Sequence, residues 1–476
     1  MSAPTPPLEG RGFIRARDLA LRAAQQIPAY GKFLAANGID PEAIHTAADF
    51  ARIPPIDKDN YLRRHVLHEL LWQGQITRAA TWSTSSGSSG SPTYWPRARR
   101  SGAEATTLYS RILRSGFGAD TRSTLLVVGF AMGDWIGGVL TFAAGVGLHE
   151  RGARLSVIPP GGDADAILRD IAALGPYYDQ VVLAAYPPFA KDVLDRAGAE
   201  VLGQDVKLVL AGESISEEFR DHLLDRLGKP GRPGDIRSIY GAAEAGILGH
   251  ETATSIAVRR LAATDATLYR KLFGDDPVPP TFVEHDPEYR YFESDDQGRL
   301  LFTVDNVLPL VRYRIGDVGE VLTAVAVEDA LRECGYQLPV TTSAAGCGFV
   351  TVRRRPDIAT TFYAVKLYPD GIRAALTDPR LAVVVSGKFV LDTVIAEDHA
   401  QTLTLRIELR PGVNPDAADR ELLRAVVLTG LEHTSTEYRR LREMLGDRAE
   451  PVISLHPFRS TDFRFETKHR WTGGNR

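Results

Sequence analysis

Between residues 120 and 245 five short apolar runs alternate with helical segments, and this alternation constrains the fold more than any other feature of the chain. The runs are "STLLVVGF", "ARLSVIPP", "QVVLAAYPP", "VKLVLAGES" and "IRSIYGAAE". Between them lie segments of helical period such as "DADAILRDIAALG" and "SEEFRDHLLDRLG". Strands that are apolar on both faces and alternate with helices predict βαβ units around a parallel sheet covered on both sides. In such sheets ligands bind at the carboxyl ends of the strands. Several polar or glycine-rich segments fall there: "GFAMGDW", "AYPP", "AGES" and "YGAAEAG".

The flanking regions have a different texture. Residues 12–70 read as helical, with an amphipathic stretch ending at Gly38. Residues 278–325 suggest β-hairpins in a smaller sheet, built on "RLLFTVDN" and "GEVLTAV". After about residue 358 the order strand, helix, strand, strand, helix, strand predicts a compact α+β domain. "VRRRPD" at 352–357 reads as a hinge before it. The expected fold is therefore α/β. A large, multi-lobed N-terminal domain spans 1–353, with a mainly parallel sheet and a small β subdomain. A hinge follows at 354–357, and a small α+β domain at 358–476.

With 476 residues, 44% of them hydrophobic, the chain has ample material for this. A net charge of −4 argues against a nucleic-acid surface, which depends on clustered Lys and Arg. The two cysteines, Cys334 and Cys347, form neither a disulfide framework nor a metal-binding pattern. The N-terminus lacks a signal-type apolar core, and no apolar run is long enough to span a bilayer. A cytoplasmic protein with no membrane or nucleic-acid partner is expected. Only nine lysines are present, so each one's position is informative.

Three segments carry chemistry. "STSSGSSGSPT", residues 83–93, is by itself either a solvated linker or an anion-binding loop, since glycine lets backbone N–H groups approach a phosphate and serine adds hydroxyl donors. It lacks the Gly-Lys-Ser/Thr of a Walker loop. "YGAAEAG" follows a predicted strand. Tyr240 suits core packing or stacking on a base, and Glu244 a solvated loop or a Mg²⁺ ion shared with phosphates. In "PLVRYRIGD", Asp317 either caps a turn or accepts both hydroxyls of a ribose. Arg312 and Arg314 read as surface arginines sharing one strand face.

In that order the segments resemble the adenylate-forming superfamily of acyl-CoA synthetases and adenylation domains, and most closely its phenylacetate–CoA ligase-like branch. The likeness spans nearly the whole chain. The lead-in ending at Pro54–Lys58 and "GESIS" at 212–216 look like further motifs of that branch. The resemblance implies ATP-dependent activation of a carboxylic acid as an acyl-adenylate, with Mg²⁺, and transfer to a nucleophile. The thiol of coenzyme A is the leading acceptor, and an amine or a carrier-protein thiol the alternative. A nucleotide-binding regulator that has lost the chemistry is the rival from another class.

Carried over residue by residue, the likeness places ATP or AMP on Ser85, Ser86, Gly87, Ser88, Ser89, Gly90, Gly212, Glu213, Tyr240, Gly241, Ala242 and Asp317. Glu244 holds the metal. Lys468 supplies the cation of a mobile C-terminal domain, Arg355 is the family arginine, and Asp357 is the hinge. Phe130, Trp135, Tyr186 and Ile247 wall the acid pocket, where Trp135 and Tyr186 favour an aromatic acid by stacking. His250 and Lys191 are candidate polar ends. The chain departs from the pattern at four places. Ser91 stands for a lysine, Ala243 for the threonine before Glu244, Arg354 for the hinge glycine, and Ala364 for a glycine beside the pantetheine path.

Overall fold

The computed structural model describes residues 10–85, 93–275, 279–353 and 360–463, the last with breaks at 369–370, 373–374, 377, 379, 382, 459 and 461–462. Two units are present. The first comprises Met1–Ser83, Tyr94–Ala185 and Val193–Arg355; the second comprises Thr84–Thr93, Tyr186–Asp192 and Pro356–Arg476.

The strands, in chain order, begin with the pair β1 (Thr81–Ser85) and β2 (Thr93–Arg97). The expected parallel strands follow: β3 (Thr124–Val128), β4 (Leu155–Ile158), β5 (Gln180–Ala185), β6 (Val206–Ala211) and β7 (Ile236–Ala242). They pair in parallel, in the order β7-β6-β5-β3-β4. Every residue of β3 and β5 is buried, which explains their unbroken Val/Leu/Ala sequence. The sheet then continues antiparallel through β8 (Gly246–His250), β9 (Thr281–His285), and two strands reached later in the chain, giving nine strands in all. The helix Ile136–Glu150 lies directly on β3 and β4. A Cβ on Gly145 would come within 2.6 Å of Val157 and 2.9 Å of Leu126, so only glycine allows this approach.

The small sheet is β10 (Tyr291–Ser294), β11 (Arg299–Val304) and β12 (Leu310–Val318), all antiparallel. The N-terminal helices Arg11–Gln26 and Pro28–Ala36 and the short helix Ala47–Ala51 share its core, with Phe13 and Phe50 each edge-on or tilted against Tyr291 at 6.4 and 5.9 Å. Beyond residue 51 the expected helicity gives way to turns and single 3₁₀ turns, because the Pro54–Pro55 pair stops helix continuation. "GEVLTAV" is not a hairpin. It supplies the three-residue β13 (Val321–Thr323), and Thr323 then caps the helix Ala324–Glu333. β13 and β14 (Gly348–Val352) are the two strands that extend the large sheet beyond β9.

Arg312 and Arg314 are not surface arginines. Arg312 is buried, donates to Glu293 at 3.1 Å and to the Ala51 carbonyl at 2.6 Å, and has φ of 50°. Arg314 pairs with Asp57. Between them the backbone of Ile56 bonds to β12, Ile56 N donating to Arg312 O at 3.2 Å and Arg314 N to Ile56 O at 2.8 Å. The Pro54–Lys58 segment is thus fastened to β12 as a short extra strand.

In the second unit, "TTFYAVKLY" is two strands rather than one: β15 (Thr360–Phe362) and β16 (Val365–Leu367), joined by the two-residue turn Tyr363–Ala364. β17 (Val385–Ile395), β18 (Gln401–Leu409) and β19 (Val452–His456) form a three-stranded sheet, antiparallel then parallel. The expected long helix is two, Ala417–Thr434 and Thr436–Leu445, because Ser435 leaves helical geometry and caps the second one. Among the described residues no helix is long and apolar enough to cross a membrane.

Candidate active site

The turn between β7 and β8 is closely constrained. Gly246 has φ of 76°, and a Cβ on Gly241 would lie 3.0 Å from the Gly246 carbonyl. A buried turn must satisfy its carbonyls, and here side chains do so. Arg97 Nη2 donates to Ala243 O. Asn306 Nδ2 donates to Glu244 O at 3.4 Å. Arg290 donates to Ala245 O at 2.8 Å and to Ile247 O at 3.0 Å. Asn306 is itself fixed by Ser101 Oγ at 2.9 Å and, through its carbonyl, by Trp72 Nε1 at 2.7 Å. The charge of Arg290 is matched by Glu104 at 3.2 Å.

The turn holds the Glu244 carboxylate in a site only 7% exposed. Its Oε1 lies 3.1 Å from Lys58 Nζ. Lys58 also stands 6.0 Å above the Trp95 ring, and Trp95 meets Tyr313 edge-on. Lys58 is placed by its own segment. Asp57 receives the Asn60 amide at 2.8 Å and pairs with Arg314. Burial works against the Asp57 carboxylate, but the Asn60 amide and Arg314 outweigh it and hold its pKa below the ordinary value.

A second constellation joins β7 to β12. Tyr240 OH donates to Asp317 Oδ2 at 2.7 Å, while its ring stacks on Phe292 at 6.4 Å. Asp317 is 4% exposed and follows Gly316, whose φ of 92° sets the bend. A carboxylate has about four acceptor positions, so the Tyr240 phenol fixes one oxygen's orientation without using up the group.

Gly212, with φ of 100°, and Glu213 lie just past β6, and Ser85 ends β1. Gly241 and Ala242 close β7. Phe130 follows β3, is buried, and touches the helix Ile136–Glu150 at Gly137, 3.6 Å from where its Cβ would stand. Trp135 is the residue before that helix and Ile247 is buried in β8. Tyr186 follows β5 and falls in the second unit, where burial raises its phenol pKa. His250 is fully buried on β8, Nδ1 near the Glu251 carbonyl at 3.1 Å, and burial pushes its pKa down to about 4. Lys191 is buried and faces Asp398 at 3.8 Å within the second unit. Ser86, Gly87, Ser88, Ser89, Gly90 and Ser91, together with Arg354, Arg355, Asp357 and Lys468, lie outside the described residues.

Sequence reasoning reached Glu244, Tyr240 and Asp317 but missed the groups that hold them. Lys58 is the clearest omission. In the sequence it only ends the Pro54–Lys58 segment, and the scarcity of lysine in this chain is the signal that could have found it. Arg97, Arg290 and Asn306 left no sequence signal, because their partners are distant backbone carbonyls.

Among the described residues no cluster of three His, Cys, Asp or Glu side chains could hold a metal on its own. Glu244 nevertheless fits Mg²⁺, which is commonly held by one or two carboxylates plus substrate phosphates.

No family model matches the chain. It is 22% identical over 406 residues to the phenylacetate-coenzyme A ligase of Aromatoleum evansii, covering 82% of this chain and 79% of that one. Its fold is similar to 2-hydroxyisobutyryl-CoA ligase solved with 2-HIB-AMP and CoA in the thioesterification state: TM-score 0.66, 17% identity, 98% of this chain and 93% of that one. Against the postadenylation state of the same ligase the TM-score is 0.54 at 16% identity, covering 99% of this chain and 94% of that one.

Proposed function

The chain is a relative of the adenylate-forming superfamily, by fold and by sequence in its phenylacetate–CoA ligase-like branch, and on that premise we propose that it activates a carboxylic acid with ATP and passes the acyl group to a thiol. One observation carries the reading. Tyr240 on β7, Glu244 on the turn after it and Asp317 on β12 form two pairs, Lys58–Glu244 and Tyr240–Asp317.

The reaction has two displacements. A carboxylate oxygen attacks the α-phosphorus of ATP, and the bond to the bridging oxygen breaks, releasing pyrophosphate. A thiol sulfur then attacks the acyl carbon, its proton is lost, and the acyl C–O bond breaks, releasing AMP. Carboxylates are poor electrophiles, and AMP supplies the missing leaving group. The first step brings two anions together, so charge compensation is the main requirement.

In this reading Asp317 accepts the ribose hydroxyls, oriented by Tyr240. Glu244 holds Mg²⁺, which when bound neutralises the departing pyrophosphate. Lys58 keeps the Glu244 carboxylate oriented and compensated when no metal is present. Lys468 adds a cation on the C-terminal part of the chain, Arg355 is the family arginine with a catalytic role, and Asp357 is the hinge. The acid is aromatic or otherwise planar, with Phe130, Trp135 and Ile247 as candidate walls. Coenzyme A is the acceptor we favour, and a cytoplasmic setting belongs to the same reading. Ala364 has φ of 66°, the conformation a glycine would take, but its methyl stands where the resemblance has a glycine beside the pantetheine arm, which weighs against coenzyme A and keeps an amine or carrier-protein thiol as the alternative.

The test is pyrophosphate release from ATP across a panel of acids, followed by mass spectrometry with coenzyme A or an amine added. Acid-dependent pyrophosphate and an acyl-CoA product are expected. ATP binding without pyrophosphate from any acid would overturn the proposal in favour of a nucleotide-binding regulator. Amide in place of thioester would move the acceptor to nitrogen.

A further inference from the structure

Three buried or half-buried cations surround the β7–β8 turn, and two of them have a carboxylate of their own. Lys58 has Glu244 at 3.1 Å, and Arg290 has Glu104 at 3.2 Å. Arg97, 5% exposed at the end of β2, is the third. Among the described residues it has no carboxylate within ion-pair distance. Its Nη2 bonds the Ala243 carbonyl, while its Nε is buried with no hydrogen-bond partner. A buried guanidinium with no directly paired carboxylate and an unused N–H is costly unless something supplies the complement.

The guanidinium packs where the turn meets the helix Ile136–Glu150. Its Nη1 lies 3.7 Å from where a Cβ on Gly246 would stand. The same point is 3.3 Å from Leu140 and 3.9 Å from Ile136, on the helix Ile136–Glu150. Gly246 immediately precedes Ile247, the expected pocket wall. Lys58 and Glu244 mark the phosphate end of the site. Arg97 stands instead on the side where an apolar helix face closes on the turn. Arg290 shows what an arginine with a purely structural role looks like here, because it satisfies two carbonyls and its charge is matched by Glu104. Arg97 satisfies one carbonyl, and the carboxylates that act on its charge, Glu244 and Glu104, stand beyond ion-pair distance.

Resting on the proposed acid activation, we infer that Arg97 is a substrate-recognition residue, and that the acid carries a second oxyanion, most simply a second carboxylate, on an apolar frame. The frame packs on Ile136, Leu140 and Ile247, and the second oxyanion accepts from the free edge of the Arg97 guanidinium, a geometry suited to bidentate carboxylate binding. Burial, reinforced by the like charge of Arg290 and only partly offset by Glu244 and Glu104, lowers the Arg97 pKa to about 9.

The wild-type enzyme decides first. Pyrophosphate release is measured with matched pairs: benzoic against isophthalic and terephthalic acids, phenylacetic against homophthalic acid, and butyric against glutaric acid. A diacid favoured over its parent by roughly 10- to 100-fold in kcat/KM in at least one pair is expected, the range for a charge-assisted bond made or missed. Parent acids used as well as every diacid would overturn the inference. Arg97→Met should then collapse the diacid-to-parent ratio to about one, through KM for the diacid. A ratio that survives the substitution means that Arg97 only caps the turn and overturns the inference. Should Arg97→Met fail to fold, Arg97→Lys decides. It keeps the charge and a donor for Ala243 but loses the fork, so a lower ratio supports the inference and an unchanged ratio overturns it. If no acid yields pyrophosphate, acid activation fails and this inference falls with it; if acids react without preference, only this inference fails.

Discussion

Removing the ammonium of Lys58 should expose how tightly Glu244 depends on it. At 3.1 Å and an effective dielectric near 20, the pair's gross attraction is about 5 kcal/mol. Desolvation offsets much of this. The Glu244 side chain is 8% exposed and that of Lys58 26%, so the pair lies between a surface bridge worth under about 1 kcal/mol and a buried one whose breakage costs about 3–5 kcal/mol. Lys58→Met should therefore destabilise the first unit by about 2 kcal/mol. Glu244→Gln should cost less, since an amide oxygen still accepts from Lys58. In the double variant no charge is left uncompensated, and its stability should return to within about 1 kcal/mol of wild type. The assay is equilibrium urea unfolding followed by tryptophan fluorescence, to which Trp95 contributes from beside Lys58. The double-mutant cycle then gives the coupling. Effects that add to within about 0.5 kcal/mol would refute the pairing.

Asp317→Ala should weaken ATP binding at least about tenfold, because charge-assisted bonds to the ribose are worth about 1.5–3 kcal/mol each; unchanged affinity by calorimetry would remove the ribose role. His250 and His285 are both buried with pKa values lowered from 6.5 to about 4. They are neutral in the folded protein and take up a proton on unfolding, so their contribution is present above pH 6.5 and lost as pH falls towards 4. Urea midpoints between pH 7 and 4.5 should show that loss, and His250→Asn should flatten it. Tyr363 and Ala364 both have positive φ in a two-residue hairpin turn, where glycine is normally favoured. Ala364→Gly should accordingly stabilise the second unit by about 0.5–1 kcal/mol. A lower urea midpoint would mean that the alanine methyl makes a compensating contact.

What could be read from sequence follows from how local the information is. β3, β5 and β6 were legible because strands buried on both faces are mostly Val, Leu and Ala. The antiparallel half of the same sheet was not. β13 has three residues, and β9 and β14 owe their places to pairing with each other rather than to any local pattern. "TTFYAVKLY" hid its hairpin because the turn uses Tyr363 and Ala364 in place of Asn-Gly. At the site, Glu244 and Asp317 stood in recognisable motifs. The cations around them did not, since Lys58, Arg97 and Arg290 reach the β7–β8 turn from three distant parts of the chain and their pairing exists only in the folded state.

The central claim is that a carboxylate oxygen attacks the α-phosphorus of ATP, and isotope transfer tests it most directly. An acid that supports pyrophosphate release is labelled with ¹⁸O in its carboxyl group and turned over with ATP and coenzyme A, and the nucleotide product is weighed by mass spectrometry. Attack on the α-phosphorus followed by acyl C–O cleavage leaves one labelled oxygen on AMP, and Glu244→Gln should sharply slow its appearance. Unlabelled AMP, or ADP in its place, would contradict the account.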